Sequence, residues 1–126
     1  MRPTNYALCR ITVALVWLYH GLVPKWLGPD ADELMMNKAL GLSLEQAETL
    51  SYFAGAAEIT FAAIILIYWR ARWPLMLSAL GLIGLLGYVV LAAPQLLMGA
   101  FNPVTTNLPL VVLSIVALRL YDDQRA

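Results

Sequence analysis

Four long apolar runs dominate the pattern of hydrophobic and polar positions along this chain. They cover residues 7–26, 50–69, 74–93 and 103–121. A helix needs about 20 residues to cross the hydrocarbon core of a bilayer, and each run has about that length. The pattern predicts an all-α fold, a four-helix transmembrane bundle. The four spans leave no room for a further domain, so residues 1–126 are expected to form a single membrane domain.

The polar segments between the runs predict where helices begin and end. In the first connection, "GPDADELMMNKALG" has an aspartate-rich start, several apolar positions and a closing Gly41, which predicts a short outer-loop helix. This helix is expected to lie flat on the membrane or to cap the bundle. Ser43 and Gln46 form a capping-box pattern, so the second membrane helix should begin before its apolar run. Asn102 and Pro103 predict the start of the fourth helix.

Composition supports a membrane protein and excludes several classes of function. Hydrophobic residues make up 61% of the chain and charged residues 13%, whereas a soluble domain has about 25% charged residues. The net charge is zero, so a nucleic-acid partner is not expected. One histidine and one cysteine, Cys9, exclude an internal disulfide, a thiol pair and a multi-histidine metal or haem site within one protomer.

The basic residues predict the orientation of the bundle. Four spans place both termini on one side of the membrane, together with most of the arginines. The positive-inside rule then places both termini in the cytoplasm. Arg10 and Arg119 are expected to extend along lipid toward the cytoplasmic surface. The inner basic residues are Arg2, Arg10, Arg70, Arg72, Arg119 and Arg125, and the outer ones are Lys25 and Lys38.

Polar side chains within the runs fall in one layer, in the outer half of the predicted bundle. The layer consists of His20, Lys25, Glu58, Tyr88, Asn102 and Asn107. A carboxylate that faced lipid would cost about 3 kcal/mol or more, so Glu58 is expected to face the bundle interior. There it takes up a proton or pairs with a cation. His20 is the nearest candidate partner by depth, and Lys25 is the next.

Small residues indicate where helices pack. Gly21 shares a stripe of the first helix with Trp17 and His20, because the spacing is i, i+3, i+4. Glu58 lies in a small-residue stripe of the second helix. The third run carries Gly81, Gly84 and Gly87, and this density of glycine predicts the close approach of another helix.

Three motifs resemble a known family. They are "WLYHGLVPK", "GAAE" and "FNPVTTN", with the patterns W-x-x-x-G-x-x-P-K, G-x-x-E and F-N-P-x-T-x-N. Over roughly residues 8–118 the chain resembles the DoxX-like family of small bacterial integral membrane proteins. The resemblance implies a bacterial inner membrane and a link to quinone-dependent redox systems. The motif positions are Trp17, Gly21, Pro24, Lys25, Gly55, Glu58, Phe101, Asn102, Pro103 and Asn107.

The leading functional hypothesis is a polar cavity in the outer half of the bundle that binds a quinone or a lipid head group. Glu58 and His20 are the candidate catalytic residues, because proton exchange with a quinone ring needs a nearby acid or base. No covalent cofactor or metal is expected, so electrons would have to move through the quinone or a redox partner subunit. The candidate ligand-binding residues are Trp17, His20, Lys25, Glu58, Tyr88, Asn102 and Asn107.

Two alternatives of other classes remain open, as does the question of catalysis. If the chain is an enzyme, it is the membrane subunit of a quinone-linked oxidoreductase. In the first alternative the polar layer only fixes helix register, and the chain is an assembly or chaperone-like scaffold. The glycine face of the third helix would then bind a partner helix. The second alternative, small-solute transport, would need a homo-oligomer to allow alternating access.

Overall fold

The computed structural model describes residues 4–125, and its helices follow the predicted runs. A single π-helical turn, Leu22–Trp26, continues α1, and a short 3-10 segment, Pro94–Met98, follows α4. The described residues contain no strand, so the prediction of an all-α fold is confirmed. The helices are α1 (Asn5–Gly21), α2 (Ala31–Lys38), α3 (Leu44–Ile67), α4 (Trp73–Ala92) and α5 (Pro103–Asp123).

Four helical segments are long and apolar enough to cross a membrane. Large apolar side chains cover their outer surfaces, among them Phe53, Ile67 and Leu91. Such surfaces suit lipid, because hydrocarbon tails solvate them as well as a protein core would. The candidate spans are Asn5–Trp26, Leu44–Ile67, Trp73–Ala92 and Pro103–Asp123.

The helices form an up-and-down bundle with two distinct ends. One end, which we call the terminal end, carries the start of α1, the α3–α4 turn and the end of α5. There the Tyr6 hydroxyl donates to the Trp69 carbonyl, and Arg72 pairs with Asp122 at 3.1 Å. The opposite end, the loop end, carries α2 and the α4–α5 connection. Helix α1 packs against α3 and α5, and α4 packs against α5, whereas α3 and α4 contact each other far less.

The local signals in the connections act as the sequence predicts. Asp30 caps α2 by accepting from the Asp32 N–H, and Gly41 has a φ of 83° just beyond its end. Ser43 and Gln46 form the reciprocal capping box. For this reason α3 begins at Leu44, well before the apolar run at residue 50, and its first turns contact α2.

Arg10 corrects the expectation that it extends toward the membrane surface. Its side chain is 0% exposed and lies against the end of α3. The guanidinium donates to the carbonyls of Ile65, Tyr68 and Ala71 at 2.7, 2.6 and 3.0 Å, and to the Tyr6 hydroxyl at 2.6 Å. Carbonyls at a helix end have no intrahelical partner, and the five N–H donors of one arginine are suited to binding several of them.

The closest helix approach is between α1 and α3, at Gly21 and Gly55. A Cβ atom built on Gly21 would lie 2.6 Å from the Gly55 carbonyl oxygen and 2.9 Å from the Cβ of Glu58. A Cβ built on Gly55 would lie equally close to the Gly21 carbonyl oxygen and 2.9 Å from the Cβ of Lys25. The two backbones therefore meet where neither residue has a side chain, and the contact fixes Lys25 beside Glu58.

The glycines of α4 do not make the close approach that their density predicts. A Cβ atom on Gly84 or Gly87 would meet no described atom within 4 Å, and one on Gly81 would meet only the Trp17 ring at 3.9 Å. Gly84 and Gly87 are exposed, between Leu80 and Leu91 on the outer surface of the bundle. Glycine density alone does not specify which face of a helix packs within the same chain.

Candidate functional site

A cavity of about 370 Å³ lies at the loop end of the bundle. All four membrane helices line it, α2 covers it, and it is partly open to the surface. The walls nearer the middle of the bundle are apolar and include Val16, Leu82 and Leu110. The lining brings together every residue that the sequence proposes for ligand binding, namely Trp17, His20, Lys25, Glu58, Tyr88, Asn102 and Asn107.

The cation at the centre of this site is Lys25, which is only 8% exposed. Its Nζ lies 2.7 Å from Oε1 of Glu33 and 3.3 Å from Oε1 of Glu58. Lys25 lies in the π-helical turn, where the Leu27 N–H donates to the Leu22 carbonyl five residues back. Pro24, within the same turn, has no N–H to donate to an α-helical bond. The turn directs Lys25 toward α3 and α2 rather than toward lipid.

The partner of Glu58 is thus the second of the two candidates, Lys25, and not His20. His20 is half-buried and lines the cavity, but no carboxylate among residues 4–125 lies within ion-pairing distance of its ring. Depth along the helices favoured His20. Depth says nothing about how the helices are rotated, and the crossing at Gly21 and Gly55 decides the rotation in favour of Lys25.

Glu58 presents one oxygen to Lys25 and leaves the other without a partner. Its Oε2 atom is buried and has no hydrogen-bond partner among the described residues. An unpaired buried polar atom is costly, by about 1–3 kcal/mol and more for a charged group. The Lys25 ammonium also pairs with two carboxylates at once, those of Glu33 and Glu58. Glu58 therefore has one oxygen that is still able to accept a hydrogen bond from a ligand.

Trp17 and Asn102 contribute to structure as well as to the cavity wall. The indole N–H of Trp17 donates to the Ser78 hydroxyl at 2.9 Å, and Ser78 lies 3.1 Å from Ser114, so these residues link α1, α4 and α5. Asn102 caps α5 through the N–H groups of Val104 and Thr105. Asn107, which is buried, lines the cavity one turn further along α5.

Helix α2 is held over the cavity by polar contacts to several elements. The Tyr88 hydroxyl donates to the Met36 carbonyl at 2.7 Å, which connects α4 to α2. The Asn37 amide donates to the Ala47 carbonyl at 3.0 Å, which connects α2 to α3. The Lys25–Glu33 pair makes a further connection. Of the two positions predicted for this helix, the structure has the one that caps the bundle.

The sequence model of the DoxX-like family matches residues 14–115, most of the chain and all of the cavity lining. The chain belongs to the DoxX-like family. No curated protein and no solved structure matches it. Family membership and the four apolar helices together make this DoxX-like protein a multi-pass integral membrane protein that resides in a lipid bilayer.

Sequence reasoning about this DoxX-like protein missed the part that α2 plays in the site. Glu33 is not among the site residues that the sequence predicts, yet its carboxylate makes the shorter of the two Lys25 contacts. Asp30 and Asp32 also line the cavity, on its exposed side. A usable signal was present, because a short helix that follows the W-x-x-x-G-x-x-P-K motif so closely can fold back over Lys25.

Tyr88→Phe tests how α2 is held in this DoxX-like protein. The change removes one hydrogen bond, worth about 0.5–1.5 kcal/mol, and leaves the ring in place. We expect amide hydrogen exchange in Ala31–Lys38 to become roughly two- to tenfold faster, with exchange in α5 unchanged. The matched control is Tyr19→Phe, whose side chain is exposed on α1. Equal exchange in α2 for both variants would show that Tyr88 does not hold it.

Proposed function

We propose that this DoxX-like protein binds a small amphipathic molecule, a quinone or a lipid head group, in the cavity at the loop end. One observation carries the proposal: a single cavity combines apolar walls with a buried ion pair and an unpartnered carboxylate oxygen on Glu58. Its volume of about 370 Å³ is within the range of about 300–1,000 Å³ that small-molecule sites occupy.

The cavity suits a ligand with one polar and one apolar end. The polar groups of Lys25 and Glu58 lie near the loop end, and Leu82 and Leu110 line the apolar part. A molecule dissolved in the bilayer could enter between α3 and α4, which contact each other little. In this proposal Glu58 exchanges a proton or a hydrogen bond with the ligand, and His20 is the second group able to do so.

The redox part of the proposal assigns electron transfer to other molecules. The chain would act as a membrane subunit that positions a quinone, while the quinone and a partner protein carry the electrons. We place the protein in the bacterial inner membrane with both termini in the cytoplasm, since basic residues are concentrated at the terminal end. If this subunit takes part in catalysis, its share is proton transfer at Glu58 or His20.

A scaffold without chemistry is the second candidate, and the surface of α4 is the observation that favours it. Gly84 and Gly87 are exposed, and a side chain added there would meet nothing within 4 Å, so a partner helix could approach closely. In that case Gly84→Leu would abolish copurification of a partner or a second copy, whereas Glu58→Gln would only change stability.

Mass spectrometry of small molecules that copurify with the protein in nanodiscs tests the binding proposal. We expect one quinone or lipid species to be enriched in the wild type and reduced at least tenfold in Glu58→Gln, because the amide lacks the negative charge of the carboxylate and keeps only one acceptor oxygen. Glu45→Gln is the matched control, since Glu45 is an exposed glutamate of the same helix that does not line this cavity. Its retained molecules should match those of the wild type.

The same measurement separates the two candidates. Enrichment that is equal in the wild type and Glu58→Gln would remove the role given to Glu58. No enriched molecule in any variant, together with loss of a copurifying partner in Gly84→Leu, would replace the binding proposal with the scaffold.

A further inference from the structure

The charges that line the cavity are not balanced. One lysine, Lys25, faces two carboxylates within 3.3 Å, those of Glu33 and Glu58. Asp30 and Asp32 add two more carboxylates on the exposed side of the cavity. Charges in a space with low dielectric constant interact strongly, so an excess of negative charge there favours a positively charged occupant.

The unpartnered oxygen of Glu58 favours the same kind of ligand. Three donors that line the cavity already have an acceptor within the protein: the Lys25 ammonium has two carboxylates, the Trp17 indole has Ser78, and the Tyr88 hydroxyl has the Met36 carbonyl. The best acceptor, Oε2 of Glu58, has no donor among the described residues. A ligand that offers N–H or O–H groups, or a positive charge, would complete this arrangement. A ligand that offers only acceptors would leave Oε2 of Glu58 without a donor.

Aromatic rings that line the cavity also favour a positively charged ligand. Trp17, Tyr88 and Phe101 all line the cavity, and Phe101 is 97% exposed at its rim. The faces of aromatic rings attract cations, by about 0.5–1 kcal/mol at exposed sites and more where water is excluded. Aromatic rings beside carboxylates form a suitable lining for an organic cation with an apolar body.

We propose that the cavity binds an amphipathic molecule whose polar end is an organic cation, with Glu58 as its counter-ion and the carboxylates of α2 at the entrance. The inference rests on the proposed function, because it names the ligand class of the same cavity. The cationic group of the ligand contacts Oε2 of Glu58, while Lys25 remains paired with Oε1 of Glu58 and with Glu33. A ligand whose only charged group is a phosphate or a sulfonate is disfavoured, since that group would meet the carboxylates of Glu33 on α2 and Glu58 on α3. The cation could belong to a free organic molecule or to the amine of a lipid head group.

Two probes of similar size and opposite charge test the sign of the preferred ligand. Benzyltrimethylammonium and p-toluenesulfonate are titrated by calorimetry into the full chain in dodecyl maltoside, an uncharged detergent, with empty micelles as the blank. We expect saturable binding of the ammonium probe only. Glu58→Gln should weaken it at least tenfold and Glu33→Gln by a smaller factor, whereas Glu45→Gln should leave it unchanged. Circular dichroism and size-exclusion chromatography establish that each variant is folded.

Different results would contradict the cation proposal and the proposed function. If the sulfonate binds as tightly as the ammonium, or if Glu58→Gln and Glu45→Gln bind the ammonium equally, the cation proposal is wrong. If decylubiquinone binds saturably and depends on Glu58 while the ammonium does not bind, the cation proposal falls and the proposed function stands. If none of the three probes binds and no molecule is retained in nanodiscs, both fall.

Competition by lipids identifies the source of the cation. Phosphatidylethanolamine carries an ammonium group and phosphatidylglycerol does not. Displacement of the ammonium probe by phosphatidylethanolamine alone would support a lipid head group as the occupant, and displacement by neither lipid would support a free organic cation. Stronger displacement by phosphatidylglycerol would contradict the proposal, because that head group is anionic.

Discussion

Arg10→Met should lower the free energy of unfolding by roughly 3 kcal/mol or more, because it leaves one buried and two part-buried carbonyls without their donor. The wild-type guanidinium serves the carbonyls of Ile65, Tyr68 and Ala71, and the side chain is fully buried. Methionine fills a similar volume and donates nothing. Unfolding of the purified protein by sodium dodecyl sulfate, followed by tryptophan fluorescence, measures the change.

Two further variants separate the hydrogen bonds of Arg10 from its charge. Arg10→Lys keeps the charge but replaces a planar five-donor group with a single ammonium, so an intermediate loss is expected. Arg119→Met is the matched control, since Arg119 is exposed on α5, and it should change stability by less than about 0.5 kcal/mol. Similar losses for Arg10→Met and Arg119→Met would contradict the structural role of Arg10.

Gly21→Ala should lower the free energy of unfolding by about 3 kcal/mol, at the upper end of the usual cost of overpacking. The added Cβ would lie 2.6 Å from the Gly55 carbonyl oxygen and 2.9 Å from the Ile59 nitrogen. These are main-chain atoms, so α1 and α3 have to separate. Because Lys25 and Glu58 flank this crossing, ligand retention in nanodiscs should fall in the same variant.

Gly84→Ala is the matched control for this experiment. It also places alanine for glycine within a membrane helix, but the new Cβ meets no described atom within 4 Å. Its free energy of unfolding should therefore equal or slightly exceed that of the wild type, because alanine has a higher helix propensity than glycine. If both alanine variants unfolded at the same detergent fraction, the close crossing of α1 and α3 would have no energetic importance.

The parts of the fold that the sequence predicts are those decided by local chemistry. A span of about 20 apolar residues has few alternatives to a membrane helix, since every backbone polar group must be satisfied within it. Ser43 and Gln46 bond to each other's backbone, and Asn102 bonds to the two residues after Pro103, so both helix starts could be predicted without any tertiary information. Six of the seven proposed ligand-binding residues, all except Trp17, could be grouped because depth follows from counting along each helix.

The parts that could not be predicted depend on how the helices are rotated and ordered. Hydropathy does not distinguish a buried Arg10 from one that extends along lipid, because the difference is whether the carbonyls at the end of α3 lie within reach. The pairing of Glu58 with Lys25 rather than with His20 also depends on how the helices are rotated. Glu33 contacts Lys25 only because the chain between them folds back and places α2 over the bundle. Helical periodicity does not predict this contact.

The crossing of Gly21 and Gly55 also bears on how DoxX-like sequences can diverge. In most packed pairs a larger residue on one side can be accommodated by a smaller one on the other, and such exchanges leave correlated changes in related sequences. Here each glycine faces the main chain of its partner, and a main chain cannot be made smaller. A larger residue at one glycine therefore cannot be compensated by a smaller residue at the other. We expect related DoxX-like sequences to keep glycine at both positions rather than to change the two positions together.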